Sequence, residues 1–356
     1  MSNTTPGMVC AHHHLYSSLA RGMPAPRKSP QSFLEILNEV WWRLDAALDL
    51  EMIHWSAKLG AVEALMAGTT CIIDHHESPN AIEGSLEVIQ LACAEVGVRL
   101  ITTYGITDRW QDNGSLVADG SRPSRMTAAA KRGLEEVARH AKAGNATMVG
   151  MHAAFTCSEE SIDAAADLAH QLGVGVHVHV AEGEIDRDPS RSLAKHVNDD
   201  WLLVHCVHLD QKFKGTMVHN PRSNLNNSVG YAMPSTWDNR TVLGTDGIGA
   251  DMLDEARVAY ALLRASNLDS SPETVASWLD DARYFFPDAE GDVVTWNYDH
   301  MDSPWHLAYT TGVRATDVTM NGRAILKNGI PQTVDLDEVR RKSAEQAERL
   351  HRKLAS

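Results

Sequence analysis

Residues 7–22 read GMVCAHHHLYSSLARG, with three consecutive histidines inside an apolar-to-polar transition. On a strand, alternate side chains point to the same side. His12 and His14 would therefore enter one space together, while His13 would point the opposite way, toward covering helices, with no role of its own. Two neutral imidazoles from one strand begin a zinc site; a third ligand from another strand and an open position for water complete a catalytic one. The stretch VHVHVAEGE offers His177 and His179 on one strand face. Spacing alone leaves either as the ligand; His179 lies nearer the strand end, and His177 suits a hydrogen-bonded position in a deeper layer. Glu182, three residues beyond His179, would stand beside a metal-bound water and carry protons. In LLVHCVHLD, His205 ends an apolar run while His208 reads as structural, and VLGTDG places Asp246 as a metal carboxylate or a base.

Such groups must be delivered by a scaffold, and the chain supplies one. Eight short apolar runs read as strands: 7–12, 69–75, 98–105, 147–153, 174–180, 201–205, 215–219 and 241–246. Between many of them lie segments with helical apolar spacing, among them SFLEILNEVWWRLDAAL, where Trp41 and Trp42 read as helix core. Strand and helix in alternation mean parallel strands with right-handed crossovers. Eight of them, with no G-x-G-x-x-G after the first, predict an α/β fold, a (β/α)8 TIM-like barrel over residues 7–285. The barrel is trimmed around strands six to eight, where nine residues separate two strands and 220–240 reads as a loop. Alternating runs with an Asn-Gly turn predict a small β-annex at 290–334, and residues 335–356 predict a C-terminal helix.

On this map, polar groups gather at one end. His12 and His14 close the first strand, His75 and His76 the second, and Asp108 and Arg109 follow the third. His152, His179, His205, His219 and Asp246 close the fourth to eighth. In a (β/α)8 barrel the C-terminal ends of the strands build the active site.

Composition narrows the partners. The 356 residues carry a net charge of −15 and no dense basic patch beyond helix faces, which argues against a nucleic-acid polymer. No apolar run is long enough for a membrane span, and the start shows no secretory pattern. Five scattered cysteines, odd in number and never in a C-x-x-C pair, suit reduced thiols and a cytoplasmic protein.

In order along the chain, AHHH, HVAE, VHCVHL, VHNPRSNLNNSVG and LGTDG resemble the amidohydrolase superfamily, within it the cytosine, guanine and adenosylhomocysteine deaminase group. EVWWRLDAAL, DHHESP and YGITDR are similar to SsnA-type aminohydrolases. The resemblance covers roughly residues 6–335. It implies one metal per subunit, zinc with iron as an alternative, held by His12, His14, His179 and Asp246. Glu182 takes the place of a proton-shuttling glutamate, and His205 that of a histidine beside the attacking water. Asp246 also accepts a proton, so that the catalytic set is Glu182, His205 and Asp246. His152 matches a substrate-pocket histidine, and His75, His76, Asp108, Arg109 and Asn224 are further substrate-binding candidates. The reaction implied is deamination of a purine- or pyrimidine-like N-heterocycle through a zinc-bound hydroxide. Alternatives are cyclic-amide hydrolysis, displacement of another leaving group, or a non-catalytic binding barrel. Relatives are often homodimers. Two features depart from the pattern: relatives carry some sixty residues ahead of AHHH, whereas here only six precede GMVC, and the sixth crossover is short. ATMVGMHAAF lacks the lysine that binuclear members carry on the fourth strand, which favours one metal.

Overall fold

The computed structural model describes residues 2–355. In chain order the strands are β1 (Thr4–Thr5), β2 (Met8–His13), β3 (Thr69–His76), β4 (Arg99–Ile106), β5 (Val149–Ala153), β6 (Val176–Val180) and β7 (Leu202–His205). They continue as β8 (Thr216–His219), β9 (Thr241–Leu243), β10 (Val293–Trp296), β11 (Ala315–Met320), β12 (Arg323–Lys327) and β13 (Ile330–Pro331). Strands β2 to β9 form one eight-stranded sheet in sequential order, parallel at each pairing. A parallel bridge between His13 and Asp246 joins the last strand's end to the first, so the sheet curls into a nearly closed barrel. Gly244 permits that approach: a Cβ there would lie 2.7 Å from the Cβ of His12.

The crossover helices Leu50–Met66, Ala128–Lys142 and Glu159–Leu172 start on Asp49, Thr127 and Ser158, whose side chains accept a backbone N–H in the first turn. The helix Ser85–Val96 ends on Gly97 in the left-handed conformation. The trimmed side is as expected between β7 and β8, where no helix intervenes. The stretch after β8 differs: the segment read as a loop holds a six-residue helix, Pro221–Asn226, opened by proline at its first position.

The barrel interior is packed by alternate strand residues, among them Val9, Ala11, Cys71, Ile73, Val204 and Val218. One register shift decides what the first strand shows to the site. Between Cys10 and His13 of β2, three steps match the two from Ile72 to Asp74 of β3, an inserted residue of the β-bulge kind. Plain alternation would put Cys10 on the side of His12 and His14. Instead Cys10 packs with the helix-facing core, Val9 and Ala11 face inward, and beyond the shift His12 and His14 face inward too.

The second sheet is antiparallel, in the order β1-β10-β11-β12-β13. Its β11–β12 turn is Asn321-Gly322 with φ of 51° and 74°, the doubly positive pair a two-residue hairpin requires. The annex expected at 290–334 gains one strand from the N-terminus: Thr4 pairs with Thr295 and Thr5 with Val294. The helix Leu336–Ala355 lies on Leu50–Met66, with Ser343 Oγ donating to the Trp55 carbonyl at 3.2 Å. No helix among the described residues is long and apolar enough to cross a membrane. All five cysteines are free and buried.

Candidate active site

Three imidazoles and a carboxylate converge where β2, β6 and β9 end. His14 Nε2 lies 3.0 Å from Asp246 Oδ1, and His12 Nε2 lies 3.5 Å from the same oxygen. His179 Nε2 is 3.3 Å from His14 Nε2. The opposite ring nitrogens are committed elsewhere. His14 Nδ1 donates to the His75 carbonyl at 2.5 Å and His179 Nδ1 to the His152 carbonyl at 2.6 Å. His12 Nδ1 meets His177 Nε2 at 2.8 Å, so His177 does sit one layer deeper. A carbonyl can only accept, and this fixes a proton on Nδ1 of His14 and His179 and leaves their Nε2 atoms facing the cluster.

His205 extends the cluster. Its Nδ1 donates to Asn224 Oδ1 at 2.8 Å, and its Nε2 faces Glu182 Oε2 at 3.4 Å and Asp246 Oδ2 at 3.9 Å. Ligand atoms of His12, His179, His205 and Asp246 all lie within 4.8 Å of one another. Both His205 and Asp246 adopt left-handed backbone conformations, with φ of 70° and 54°. Non-glycine residues pay for that conformation with strain, which is a recurrent feature of functional sites.

The electrostatics favour a positive charge at the centre. Burial, then the neighbouring imidazoles, hold the pKa values of His12 and His179 well below the ordinary histidine value, so both stay neutral. Burial alone would raise the Asp246 pKa, but the facing His12 and His14 imidazoles keep it well below the carboxylate range. Burial also works against a charged His14, yet Asp246 more than offsets it and lifts the His14 pKa to about 9. His12 Nε2 is buried with no hydrogen-bond partner among the described residues. The neutral His12 and His179 lone pairs, the first of them orphaned, and the ionised Asp246 are a donor set that fits a divalent cation, which would take the place of the proton on His14.

The helix Pro221–Asn226 and the residue after it hold three of these groups. Ser223 Oγ donates to Asp246 Oδ2, Asn224 Oδ1 accepts the hydrogen bond from His205 Nδ1, and Asn227 Nδ2 donates to Glu182 Oε1 at 3.2 Å. Burial raises the Glu182 pKa above the ordinary glutamate value, which helps it retain a proton.

A cleft with about 650 Å³ of empty space opens from this cluster. Its opposite wall comes from the segment between β2 and the first long helix. There Phe33–Ile36 is α-helical, Leu37–Trp41 is a π-turn, and Trp42–Ala47 resumes the α-helix. Phe33, Leu37, Trp41, Trp42 and Asp45 all line the cleft. Adjacent residues on a regular α-helix point about 100° apart; the wide turn brings both tryptophans to one wall. Glu77, at the end of β3, lines it as well.

Of the six proposed substrate contacts, only His152 lines the cleft, with its Nδ1 on Thr156 Oγ1 at 2.8 Å. His75 is buried beneath it, bonded to the Met151 carbonyl at 3.0 Å, and its backbone oxygen orients His14. His76 is turned to Ser78 Oγ at 2.8 Å. Asp108 accepts the backbone N–H groups of Thr127 and Ser158, each at 2.7 Å, and so ties down loops rather than ligand. Arg109 stands behind the wall, paired with Asp45 at 2.7 Å and with Glu77. Asn224 reaches His205, not the cleft. His13 is not idle: its Nδ1 donates to the Asp246 carbonyl at 2.5 Å and helps fix that residue's strained backbone. Trp41, Trp42, Asp45, Glu77 and Asn227 were missed as cleft residues. The one local sign was the Trp41-Trp42 pair, which cannot both face a core from a regular helix.

The family model described as Amidohydrolase family matches residues 3–282. The chain belongs to the amidohydrolase family, whose members are generally metal-dependent hydrolases. It is 30% identical over 291 residues to a 5'-deoxyadenosine deaminase of Methanopyrus kandleri, a match covering 75% of this chain and 63% of that relative. A 5-methylthioadenosine/S-adenosylhomocysteine deaminase of Thermoanaerobacter pseudethanolicus is 26% identical over 94% of this chain and 84% of its own length. Among solved structures, an adenosine deaminase from Xanthomonas campestris with bound zinc shares the fold at a TM-score of 0.78 and 21% identity. That likeness covers 98% of this chain and 85% of the other. A triazine hydrolase variant shares it at 0.80 and 19% identity, over 97% and 87%.

Proposed function

We propose that the protein is a metal-dependent aminohydrolase that deaminates an amino-substituted, purine-like N-heterocycle, with one zinc ion held by His12, His14, His179 and Asp246. The observation that carries this reading is the convergence of His12 and His14 Nε2 on Asp246 Oδ1 and of His179 Nε2 on His14 Nε2, with Glu182 and His205 beside them at the mouth of an aromatic cleft. The relatives named as adenosine-type deaminases support it.

A divalent metal held there supplies Lewis acidity that makes water a nucleophile near neutral pH. The remaining steps belong to the chain. Asp246 takes a proton from the attacking water. Glu182, whose pKa burial raises, gives its proton to the ring nitrogen next to the amino-bearing carbon, which makes that carbon electrophilic. His205 Nε2, held by Asn224, faces the oxygen that gains charge during attack. Asp246 then passes its proton to the departing amine, and Glu182 regains one from the hydroxyl left on the carbon. Water adds and ammonia leaves, so an amino-bearing carbon becomes a keto carbon. The aromatic wall of Trp41, Trp42 and Phe155 suits a flat ring.

The test is ammonia release from a panel of amino-purines, amino-pyrimidines and amino-pterins by zinc-loaded protein, with chelator-treated protein alongside. Metal-dependent ammonia formation is the expected result. Stoichiometric zinc binding with no ammonia from any ring would overturn the reading, and a ring-opened product would replace it with cyclic-amide hydrolysis.

A further inference from the structure

One buried carboxylate beside the cluster has no part in the proposed reaction. Asp186 closes the turn Glu184–Asp186 after β6, borders the cleft and is 1% exposed. Both of its oxygens are engaged by the protein itself. Oδ1 accepts the Phe155 N–H at 2.9 Å, and Oδ2 accepts the Ala181 N–H and the Ser190 hydroxyl, each at 2.8 Å. Burial lifts the Asp186 pKa to about 7, while these three hydrogen bonds pull it down. In either protonation state each oxygen keeps a lone pair for its backbone donor, since a proton on Oδ2 would point to the Ser190 oxygen.

The two backbone groups it holds bear directly on the site. Ala181 immediately precedes Glu182 and is left-handed, with φ of 45°, a conformation that alanine avoids. Its carbonyl accepts the His208 N–H at 2.8 Å, so both sides of this strained residue are tied to groups beyond β6. The Val180 carbonyl likewise accepts the Cys206 N–H at 2.9 Å, and Cys206 is itself left-handed, with φ of 53°. Glu182 leaves this corner toward His205 and Asn227. Phe155, held by the other oxygen of Asp186, belongs to the aromatic wall. One carboxylate therefore sets the spacing between the wall on which a ring would lie and the group that would protonate it. Strain of this kind persists only where the surroundings over-determine it. Without its acceptor, Ala181 is free to relax and carry Glu182 out of line. We propose that Asp186 is a positioning residue for proton transfer by Glu182, acting through Ala181 and Phe155 without touching substrate. This rests on the reading of Glu182 as the proton carrier of a deaminase.

Asp186→Asn keeps the shape but offers one oxygen where two are needed, so one of the two backbone N–H groups loses its acceptor. The probe is whichever ring of the amino-purine, amino-pyrimidine and amino-pterin panel releases ammonia fastest. With it, kcat should fall roughly 10–10²-fold while KM stays within about twofold and bound zinc near one equivalent. Adding Ala181→Gly, which takes a left-handed φ without strain, should return roughly threefold or more of the lost rate. An unchanged kcat, a raised KM at constant kcat, zinc lost in step with activity, or no gain from Ala181→Gly would overturn the proposal. Amide hydrogen exchange tests it without turnover. In the wild type the Ala181 amide should exchange as slowly as those of β6, and in Asp186→Asn about tenfold faster or more while the β6 amides hold. The wild-type measurement needs no variant: an Ala181 amide that exchanges like an open loop would overturn the proposal even if Asp186→Asn does not fold. The two readings fail separately. A protected Ala181 amide with kcat unmoved in Asp186→Asn would overturn the positioning role and leave the deaminase. The expected exchange pattern without ammonia from any ring would remove the deaminase and leave Asp186 as the residue that holds Glu182 in place.

Discussion

The two ends of the cleft are built by different means. At one end, groups from β2, β6, β7 and β9 meet at the tops of barrel strands, each locked by a bond to backbone, a buried amide, a hydroxyl or a second imidazole. At the other end, Trp41, Trp42 and Asp45 come from a helical segment broken by a π-turn, and Glu77 and Arg109 reach them across the barrel rim. The first end is a rigid arrangement of ligands whose chemistry tolerates few substitutions. The second is a wall whose side chains set which molecule fits and how tightly. Variants at the first end should therefore act on turnover and metal content, and variants at the second on binding and on the pH dependence of stability.

The sharpest way to break that division is Asp246→Asn. It removes the one carboxylate on which His12 and His14 converge. Ammonia release should fall on the order of 10³-fold or more, and zinc content by elemental analysis should fall with it. Next in size is Glu182→Gln, which keeps the shape and loses the proton: kcat should drop roughly 10²–10⁴-fold while bound zinc stays near one equivalent. A Glu182→Gln protein that lost its zinc would put Glu182 among the ligands and merge the two roles.

Smaller effects should mark the wall. Trp41→Ala removes a partly exposed ring from the cleft. KM should rise by about tenfold with kcat nearly held, as loss of one base-stacking partner worth about 1–3 kcal/mol implies. An equal fall in kcat would mean that the wall also positions the reacting carbon.

The smallest effect is one of linkage. Burial, then the neighbouring Glu77, lifts the Asp45 pKa from its ordinary 3.8 to about 8. Across that window the folded protein holds a proton that the unfolded chain releases. The stability this group contributes is fully present below pH 3.8 and is lost as pH climbs to about 8. Asp45→Asn cannot titrate, so its melting temperature should gain on the wild type over that window and run parallel to it above. Melting curves of both proteins at pH 5, 7 and 9 check this, and a constant difference would show that Asp45 is ionised throughout.

How much of this was legible differs between the ends for the same reason. The eight barrel strands could be read because apolar runs and helical spacing are local patterns. Once a parallel barrel is inferred, the residue at each strand's end is placed by rule. His12, His14, His179, His205 and Asp246 were found in that way. Proximity to those ends did not suffice for substrate contacts: Asp108 and His76 also close strands, yet one caps loops and the other bonds Ser78. Nothing in the local pattern of Asp45 separates it from a solvated helix aspartate, since its partner Arg109 lies 64 residues away.

The sequence by itself determined the barrel, the annex hairpin at Asn321-Gly322 and the set of imidazoles and carboxylates at the strand ends. These follow from periodicity, turn chemistry and the direction of parallel strands. Only the tertiary structure decided which way those side chains face. The inserted residue in β2 hands the inward side from Ala11 to His12, against plain alternation. The π-turn at Leu37–Trp41 likewise brings both tryptophans and Asp45 to one wall. Both are single-residue departures from a regular period. Regular spacing cannot announce them, because what stabilises each is a contact with a distant part of the chain.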